Sequence, residues 1–372
     1  MLNSQLNKIH KAFVAGAIYL GLRLLFLPSL WLATTLRHRN FHTIFARWDA
    51  QWYQSIASHG YGYEVVEKGR TLSNEAFFPL FPFAERLIHT LFTTSYLDSG
   101  IIVSWLCGLW AAIVIYEVVT RLANPQIGLI TVFLWSVYPI AYVDNLAYSE
   151  TLFTALVATA LFMLQLKRTW SAAIFAALAG LTRPTGLAVG LAVSCAIAIE
   201  LWRNRDARRD WSRYLALTLP VVGWLGFVLY LAKKNHSLTS YFQVQSHWGN
   251  GFDGGVHFLK WISHYLFSAH FIVGLLLILL CAALIYLLVQ VYRRVHYLPV
   301  LIFTTLLVVL SFCTQGYFGS KPRYLLPAFP LLIPIAYALN ELRKSIRLIC
   351  YGVLVLLGMT YGAIAATGHG PP

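Results

Sequence analysis

The sequence predicts an all-α polytopic membrane protein of about eleven transmembrane helices, with interfacial helices in a long first outer loop. Three observations carry that prediction. Hydrophobic residues fill 58% of the 372 positions and charged residues 11%, whereas a water-facing surface needs about a quarter of its residues charged. Mean hydropathy is +0.64. The apolar residues also fall in runs near the roughly 20 residues that cross a hydrocarbon core. A length that would suit two soluble domains therefore reads as one integral-membrane unit, 1–372.

Taken in order, the candidate spans lie near 11–35, 99–121, 126–143, 148–166, 211–232, 266–292, 297–316, 325–340 and 346–366. The first is too long for a secretory leader and lacks a small-residue cleavage site, so it is expected to remain as a membrane helix. From Trp170 to Trp202 the apolar stretch exceeds one helix. Leu181-Thr182-Arg183-Pro184-Thr185-Gly186 divides it, and the proline and glycine predict two short, tilted helices meeting at a turn. Positive charge then orients the array. With the N-terminus inside, Lys167, Arg168, the 203–213 cluster, Arg293, Arg294, Arg343, Lys344 and Arg347 are cytoplasmic. Lys167 and the 203–213 cluster share a side only if 170–202 crosses an even number of times, which supports the broken pair. Lys233 and Lys234 fit less well, at the outer end of a span. The same orientation puts Gly368-His369-Gly370 outside.

Net charge is +14. In a soluble protein that balance points to nucleic acid; here it points to anionic membrane lipids, and no nucleic-acid partner is expected. Cys107, Cys195, Cys281, Cys313 and Cys350 all lie in apolar runs without metal or disulfide spacing, so neither a zinc site nor a disulfide frame is indicated. No period of repeats is visible. Asymmetry is the distinguishing feature. Cytoplasmic loops are short, while 37–98 and 235–265 are long and rich in aromatic residues suited to interfacial helices. Function is expected on the outer face.

Within 37–98, helical spacing over Arg47–Tyr61 puts Trp48, Trp52 and Ile56 on one face and Asp49 with Tyr53 on the next. Asp49 then serves either as a carboxylate at the water–lipid boundary or as the cap or Arg47 partner of an interfacial anchor. Downstream, Pro79 and Pro82 stiffen the return to the membrane and place Glu75 just before it. Glu150, in Tyr148-Ser149-Glu150, starts a span, where a carboxylate also satisfies the helix dipole. Arg323 with Lys321 has the means to clamp a phosphate, or to anchor lipid headgroups. Arg183 and Arg23 sit at membrane depth, where each needs a partner, structural or substrate. His236, His247, His257 and His264 show no metal spacing, and no metal is expected.

Arg47-Trp48-Asp49, Trp52-Tyr53 and Ile56-Ala57-x-x-Gly60-Tyr61 resemble the first luminal loop of the PIG-V mannosyltransferase family, within the GT-C superfamily. Phe77-Phe78-Pro79-Leu80-Phe81-Pro82, Tyr148-Ser149-Glu150, Arg183-Pro184-x-Gly186 and Arg323-Tyr324-x-x-Pro327 follow in that family's order, so the resemblance covers most of the chain. The Trp-Asp, Gly-Tyr and Phe-Phe-Pro set is the more specific part. The chain is short for a eukaryotic member and its loops are compact, which resembles a prokaryotic relative.

What the resemblance implies is an inverting, metal-independent glycosyltransferase without a cofactor. Its donor would be a polyprenyl-phosphate sugar, with mannose the sugar of the relatives, and its acceptor a glycan or glycolipid. The relatives' setting is the plasma membrane in prokaryotes and the endoplasmic reticulum in eukaryotes. Asp49 would be the base, assisted or oriented by Glu75. Arg323, Lys321 and Arg183 would hold the donor phosphate, and Trp48, Trp52, Tyr53 and Glu150 would line the substrate site. This assignment suits the chemistry, because an inverting transfer needs a carboxylate for the acceptor proton and cations for a phosphate that leaves already ionised. The rival class is a transporter or flippase of lipid-linked sugars; it would share the spans, but would favour internal repeats and midplane charges.

Overall fold

The protein, described by a computed structural model over residues 2–67 and 69–368, is helical except for one hairpin. Helix α1 (Leu2–Leu36) leads into the first outer segment, which holds α2 (Asp49–His59), strands β1 (Glu64–Glu67) and β2 (Arg70–Ser73), and α3 (Leu80–Phe92). Next come α4 (Tyr96–Leu122), α5 (Pro125–Val137), α6 (Glu150–Gln165), α7 (Thr169–Gly180), α8 (Gly186–Arg203) and α9 (Trp211–Lys234). The second outer segment contains α10 (Ser240–His247) and α11 (Val256–Leu266). Helices α12 (Phe271–Arg294), α13 (Leu298–Cys313), α14 (Lys321–Tyr324), α15 (Ile333–Glu341) and α16 (Lys344–Ala366) complete the chain.

Each predicted span meets a helical segment, and the chain is a multi-pass membrane protein. Among the described residues, six helices are long and apolar enough to cross unaided: α1, α4, α8, α9, α12 and α16. Helices α6, α7 and α13 are shorter apolar segments. The division of 170–202 is present as α7 and α8, parted by Leu181–Thr185. One expectation needs correction. The span placed at 126–143 is not straight: α5 and the 3-10 turn Pro139–Asn145 meet at 79°. Pro139 offers no N–H to continue the helix and holds Tyr138 extended, at φ −50° and ψ 133°.

That break frees carbonyls in a place without water, and Arg23 answers them. Its guanidinium donates to the carbonyls of Ser136 and Ala141, on either side of the break. It also lies 4.7 Å from the Phe26 ring centre and 5.4 Å from that of Tyr19. Arg23 is fully buried. Its partner is thus structural, which decides between the two roles open to a membrane-level arginine.

Helix α6 is the centre of the array: every residue from Glu150 to Leu161 is buried. It packs against α4 and α7, and α7 in turn against α9. The α7–α9 crossing is close because glycines stand in it. A Cβ on Gly223 would lie 1.8 Å from the Ala177 carbonyl oxygen, and one on Gly180 would lie 2.7 Å from the Trp224 nitrogen. With no hydrophobic drive between helices in lipid, this backbone approach supplies the packing.

Two further departures lie in the first outer segment. The hairpin was not anticipated; Val65 and Val66 pair with Leu72 and Thr71, and Gly69 turns at φ +76°. Trp48 is not a helical residue. It precedes α2 at φ 54° and ψ −120°, so it does not share a face with Trp52 and Ile56. His369 and Gly370, expected outside, lie beyond the described residues. The tight crossing yields a test. Gly223→Val is expected to lower the thermal unfolding temperature of the detergent-solubilised protein strongly, because the added atoms meet backbone. Gly226→Ala, with nothing within 4 Å of the added carbon, should change it little.

Candidate active site

A cleft of about 1540 Å³, on the side expected to face outward, opens among α2, the hairpin, α10 and the loops at 182–185 and 314–324. Asp49, Trp48, Trp52, Tyr53, Arg183 and Arg323 all line it. Its floor is ionic. Arg323 Nη2 lies 2.8 Å from Asp49 Oδ2, and its Nε lies 3.1 Å from Glu150 Oε1. Arg183 Nη1 approaches the same Glu150 oxygen at 2.5 Å. Two carboxylates and two guanidiniums thus alternate as Asp49, Arg323, Glu150, Arg183. Asp49 is the most accessible member; the others are buried.

Each member arrives from a different element. Asp49 is the first residue of α2 and Glu150 the first of α6, where the helix N-terminus favours a carboxylate. Arg183 stands in the break between α7 and α8, one residue before Pro184. Arg323 is carried by α14, a single turn that begins with Lys321-Pro322. Hydroxyls close the gaps. Arg183 Nη1 also donates to Ser149 Oγ at 3.0 Å, and that hydroxyl lies 2.7 Å from the Tyr53 hydroxyl. The Asp49 N–H donates to the Tyr148 hydroxyl at 3.3 Å, which lies 3.4 Å from the Arg47 carbonyl it donates to. Burial holds the Tyr53 phenol well above its usual pKa, so it stays a neutral hydroxyl.

Arg323 is only 6% exposed, which removes the headgroup-anchor reading. Among the described residues its Nη1 has no hydrogen-bond partner. Burial alone would lower its pKa, but Asp49 and Glu150 outweigh that and raise it.

The anchor reading of Asp49 also changes. Arg47 does not pair with it. Arg47 Nη1 and Nη2 instead donate to the carbonyls of Ala366 and Gly368, both at 2.7 Å, at the C-terminal end of α16. Arg37 adds a bond to the Thr367 carbonyl at 2.6 Å. Cations on terminal carbonyls satisfy the helix end and its dipole. They also fix the residue two before Asp49.

Two predicted site residues stand apart from the ionic floor. Glu75 was expected beside Asp49, but its oxygens are taken by Lys234 Nζ and Asn235 Nδ2, each at 2.7 Å, and it does not line the cleft. The same pair explains why Lys234 sits at the outer end of α9. Lys321 was expected beside Arg323. Its ammonium instead donates to the Thr314 carbonyl, and burial lowers its pKa. Consecutive charges around a proline in a one-turn helix point to different neighbours.

The opposite wall is aromatic. Trp52 stacks on Phe77 at 5.9 Å and 9°, and meets Trp248 edge-on at 5.0 Å. Tyr53 packs edge-on against Phe77 and Phe81. Trp248 comes from the second outer segment, and its indole N–H donates to the Ser73 carbonyl at 3.0 Å. Sequence reasoning assigned no role to Trp248, Tyr148 or Ser149. The last two were visible only as neighbours of Glu150. Among the described residues, no three His, Cys, Asp or Glu side chains gather to hold a metal ion.

The chain is similar to known proteins in two comparisons. The model of the dolichyl-phosphate-mannose-protein mannosyltransferase family matches residues 76–229, less than half of the chain. ArnT from Cupriavidus metallidurans, solved bound to undecaprenyl phosphate, aligns with TM-score 0.54 and 14% identity over 85% of this chain and 60% of that one. Its apo state aligns with TM-score 0.51 and 16% identity over 86% and 59%. An oligosaccharyltransferase from Archaeoglobus fulgidus aligns with TM-score 0.48 and 12% identity over 97% and 53%. The chain therefore spans about three-fifths of the length of ArnT and shares its membrane-helical fold. No curated protein matches the sequence.

The ionic floor makes Glu150 the costliest carboxylate to neutralise. Glu150→Gln would leave Arg183 without an acid and Arg323 with Asp49 alone, and unpairing a buried charge costs about 3–5 kcal/mol. The unfolding temperature is expected to fall well below that of Asp49→Asn, because Asp49 is partly open to solvent. Tryptophan-fluorescence melts of both variants in one detergent would compare them.

Proposed function

We propose that this protein is a membrane glycosyltransferase that moves a sugar from a polyprenyl-phosphate-linked donor to an acceptor hydroxyl on the outer face. The observation that carries the reading is the Asp49–Arg323 pair on the floor of a cleft at the water–lipid boundary. That pair sets a carboxylate beside a guanidinium with one nitrogen unpartnered. The ArnT likeness and the mannosyltransferase family match support the class of reaction, and the latter supports mannose as the sugar. The PIG-V-like motifs around Asp49 and Arg323 point to the same GT-C superfamily.

In this reading the donor's phosphate enters from the lipid side and its isoprenoid chain stays in the bilayer. Arg323 Nη1 and Arg183 meet the phosphate, whose departing charge needs cations and no proton. Asp49 receives the acceptor hydroxyl's proton as that oxygen attacks the anomeric carbon, and the carbon–oxygen bond to phosphate breaks on the opposite face. Inversion follows from that single displacement. Trp52 and Trp248 offer flat apolar surfaces to sugar rings, which suits a glycan or glycolipid acceptor. Glu150 keeps both arginines in place; Glu75 and Lys321 act on structure. The reaction needs no cofactor or metal in this reading, and its setting is the plasma membrane of a prokaryote. Translocation of a lipid-linked sugar is less well supported, because the ionic groups gather at one end of the spans.

Asp49→Asn is expected to reduce transfer roughly 10²–10⁴-fold while the protein still binds polyprenyl phosphate, measured by radiolabelled sugar transfer in proteoliposomes. Near-normal turnover would remove Asp49 as the base. Arg323→Lys keeps the charge and loses the fork, so donor KM should rise and kcat fall together. Unchanged constants in a fixed lipid mixture would place the phosphate elsewhere.

A further inference from the structure

A second recess, built on other principles, begins at Leu325 and Leu326, just past the cleft floor, and runs away from the cleft towards Leu339 and Ile349. An apolar groove of about 510 Å³ opens between α12 and α16, with no charged side chain in its lining. Leu284 and Leu287 of α12 form one wall, Cys350 and Leu354 of α16 the other, and Ile335 and Leu339 of α15 lie between. The most apolar stretches of α12 and α16 are each only 11% buried in the protein. Both helices therefore leave most of their apolar surface uncovered, and the groove is the gap between them.

Helical spacing extends each wall to an arginine. Arg294 follows Leu287 by seven residues, and Arg347 precedes Cys350 by three and Leu354 by seven. Each is thus on the groove-facing stripe of its helix, nearer the helix end. Both are tied to α15. The Arg294 guanidinium lies 4.8 Å from the Tyr337 ring centre, and Arg347 Nη1 donates to Asn340 Oδ1 at 3.1 Å. Arg293, Arg343 and Lys344 are exposed beside them, with Glu341 the acid nearby.

We propose that this groove holds an anionic phospholipid of the leaflet opposite the cleft, with an acyl chain between α12 and α16 and its phosphate on Arg294 and Arg347. The source is the bilayer itself, since the groove lies at membrane depth and a chain there fills space that the side chains leave empty. Charge complementarity selects the headgroup. Two guanidiniums, one near the end of each wall helix and both beside α15, suit a phosphate, and further cations around them favour a net-negative lipid over a zwitterionic one. The occupant would join α12 to the body and so steady α11, which packs on α12.

The test is lipid retention, read by native mass spectrometry on the full-length protein after delipidation, with phosphatidylglycerol or phosphatidylcholine added back. Phosphatidylglycerol is expected to give the persistent one-lipid adduct and to raise the unfolding temperature; phosphatidylcholine should do neither. Arg294→Gln with Arg347→Gln should weaken phosphatidylglycerol retention about thirtyfold, the loss of two surface cations. Arg294→Lys with Arg347→Lys should keep most of it. Leu287→Trp, which fills the chain path, should remove the adduct while both arginines remain. Equal retention of the two lipids, or full retention by the glutamine pair in protein that elutes as folded, would overturn the proposal. These readouts are independent of sugar transfer, so they stand or fall separately from the enzymatic reading.

Discussion

The bridge that Arg323 makes between Asp49 and Glu150 organises the outer half of the molecule. A guanidinium buried at a membrane boundary needs polar partners in contact; here they are carboxylates, and each carboxylate needs a cation in return. The alternation of two acids and two arginines meets both demands at once. It does so with residues from α2, α6, α14 and the α7–α8 break, so four distant segments must arrive together. Breaks in the helices make this possible. Arg183 reaches Glu150 because Pro184 ends the helical path beside it, and Arg323 reaches Asp49 because α14 is a single turn. A straight span through either position would carry its arginine along a helix face into lipid or neighbouring helices.

The two membrane-level arginines show how the same residue acquires opposite roles. Arg23 is satisfied by backbone carbonyls, left free where Pro139 bends α5 away from its continuation. Carbonyls are neutral, so the arginine's charge is solvated in place and offers nothing to a ligand. Arg183 is satisfied by the buried carboxylate of Glu150 and the buried hydroxyl of Ser149, directly beneath the cleft. Its charge is neutralised through a partner that Arg323 shares, and both arginines border open space. The difference lies in what each helix break exposes, and not in the depth of the side chain.

Much of the fold was legible because it follows from composition. Apolar run length, charge asymmetry and the Arg183-Pro184 break place the long apolar helices, and the order of the spans depends on little else. The bend at Tyr138-Pro139 was legible too, since proline at that position marks it, but a span-length rule reads through a single proline. The hairpin at 64–73 escaped because its alternation is short and both strands are largely solvent-facing. Within the site, Asp49, Arg323, Arg183 and Glu150 were recognisable as charges out of place in an apolar chain. Their partners were not. Glu75 looks equivalent to Asp49 in one dimension, yet Lys234, 159 residues away in sequence, claims it. Lys321 lies two residues from Arg323 and is turned to the end of α13 instead.

The cleft's two walls divide the work of holding a substrate. Ionic groups confined to the floor fix a charged group in position, while Trp52, Phe77 and Trp248 present surface without direction. In the proposed reading, an amphiphilic donor would be oriented by that division: phosphate down, sugar between, and acceptor from the aqueous side. Arg47 adds a constraint from outside the cleft. Its grip on the Ala366 and Gly368 carbonyls fixes the chain just before Trp48, whose positive φ stores backbone strain of the order of 1–3 kcal/mol. Such a conformation persists only where the surroundings over-determine it. Here the surroundings are the end of α16, the Tyr148 hydroxyl and the Arg323 pair, and together they leave Asp49 one place to be.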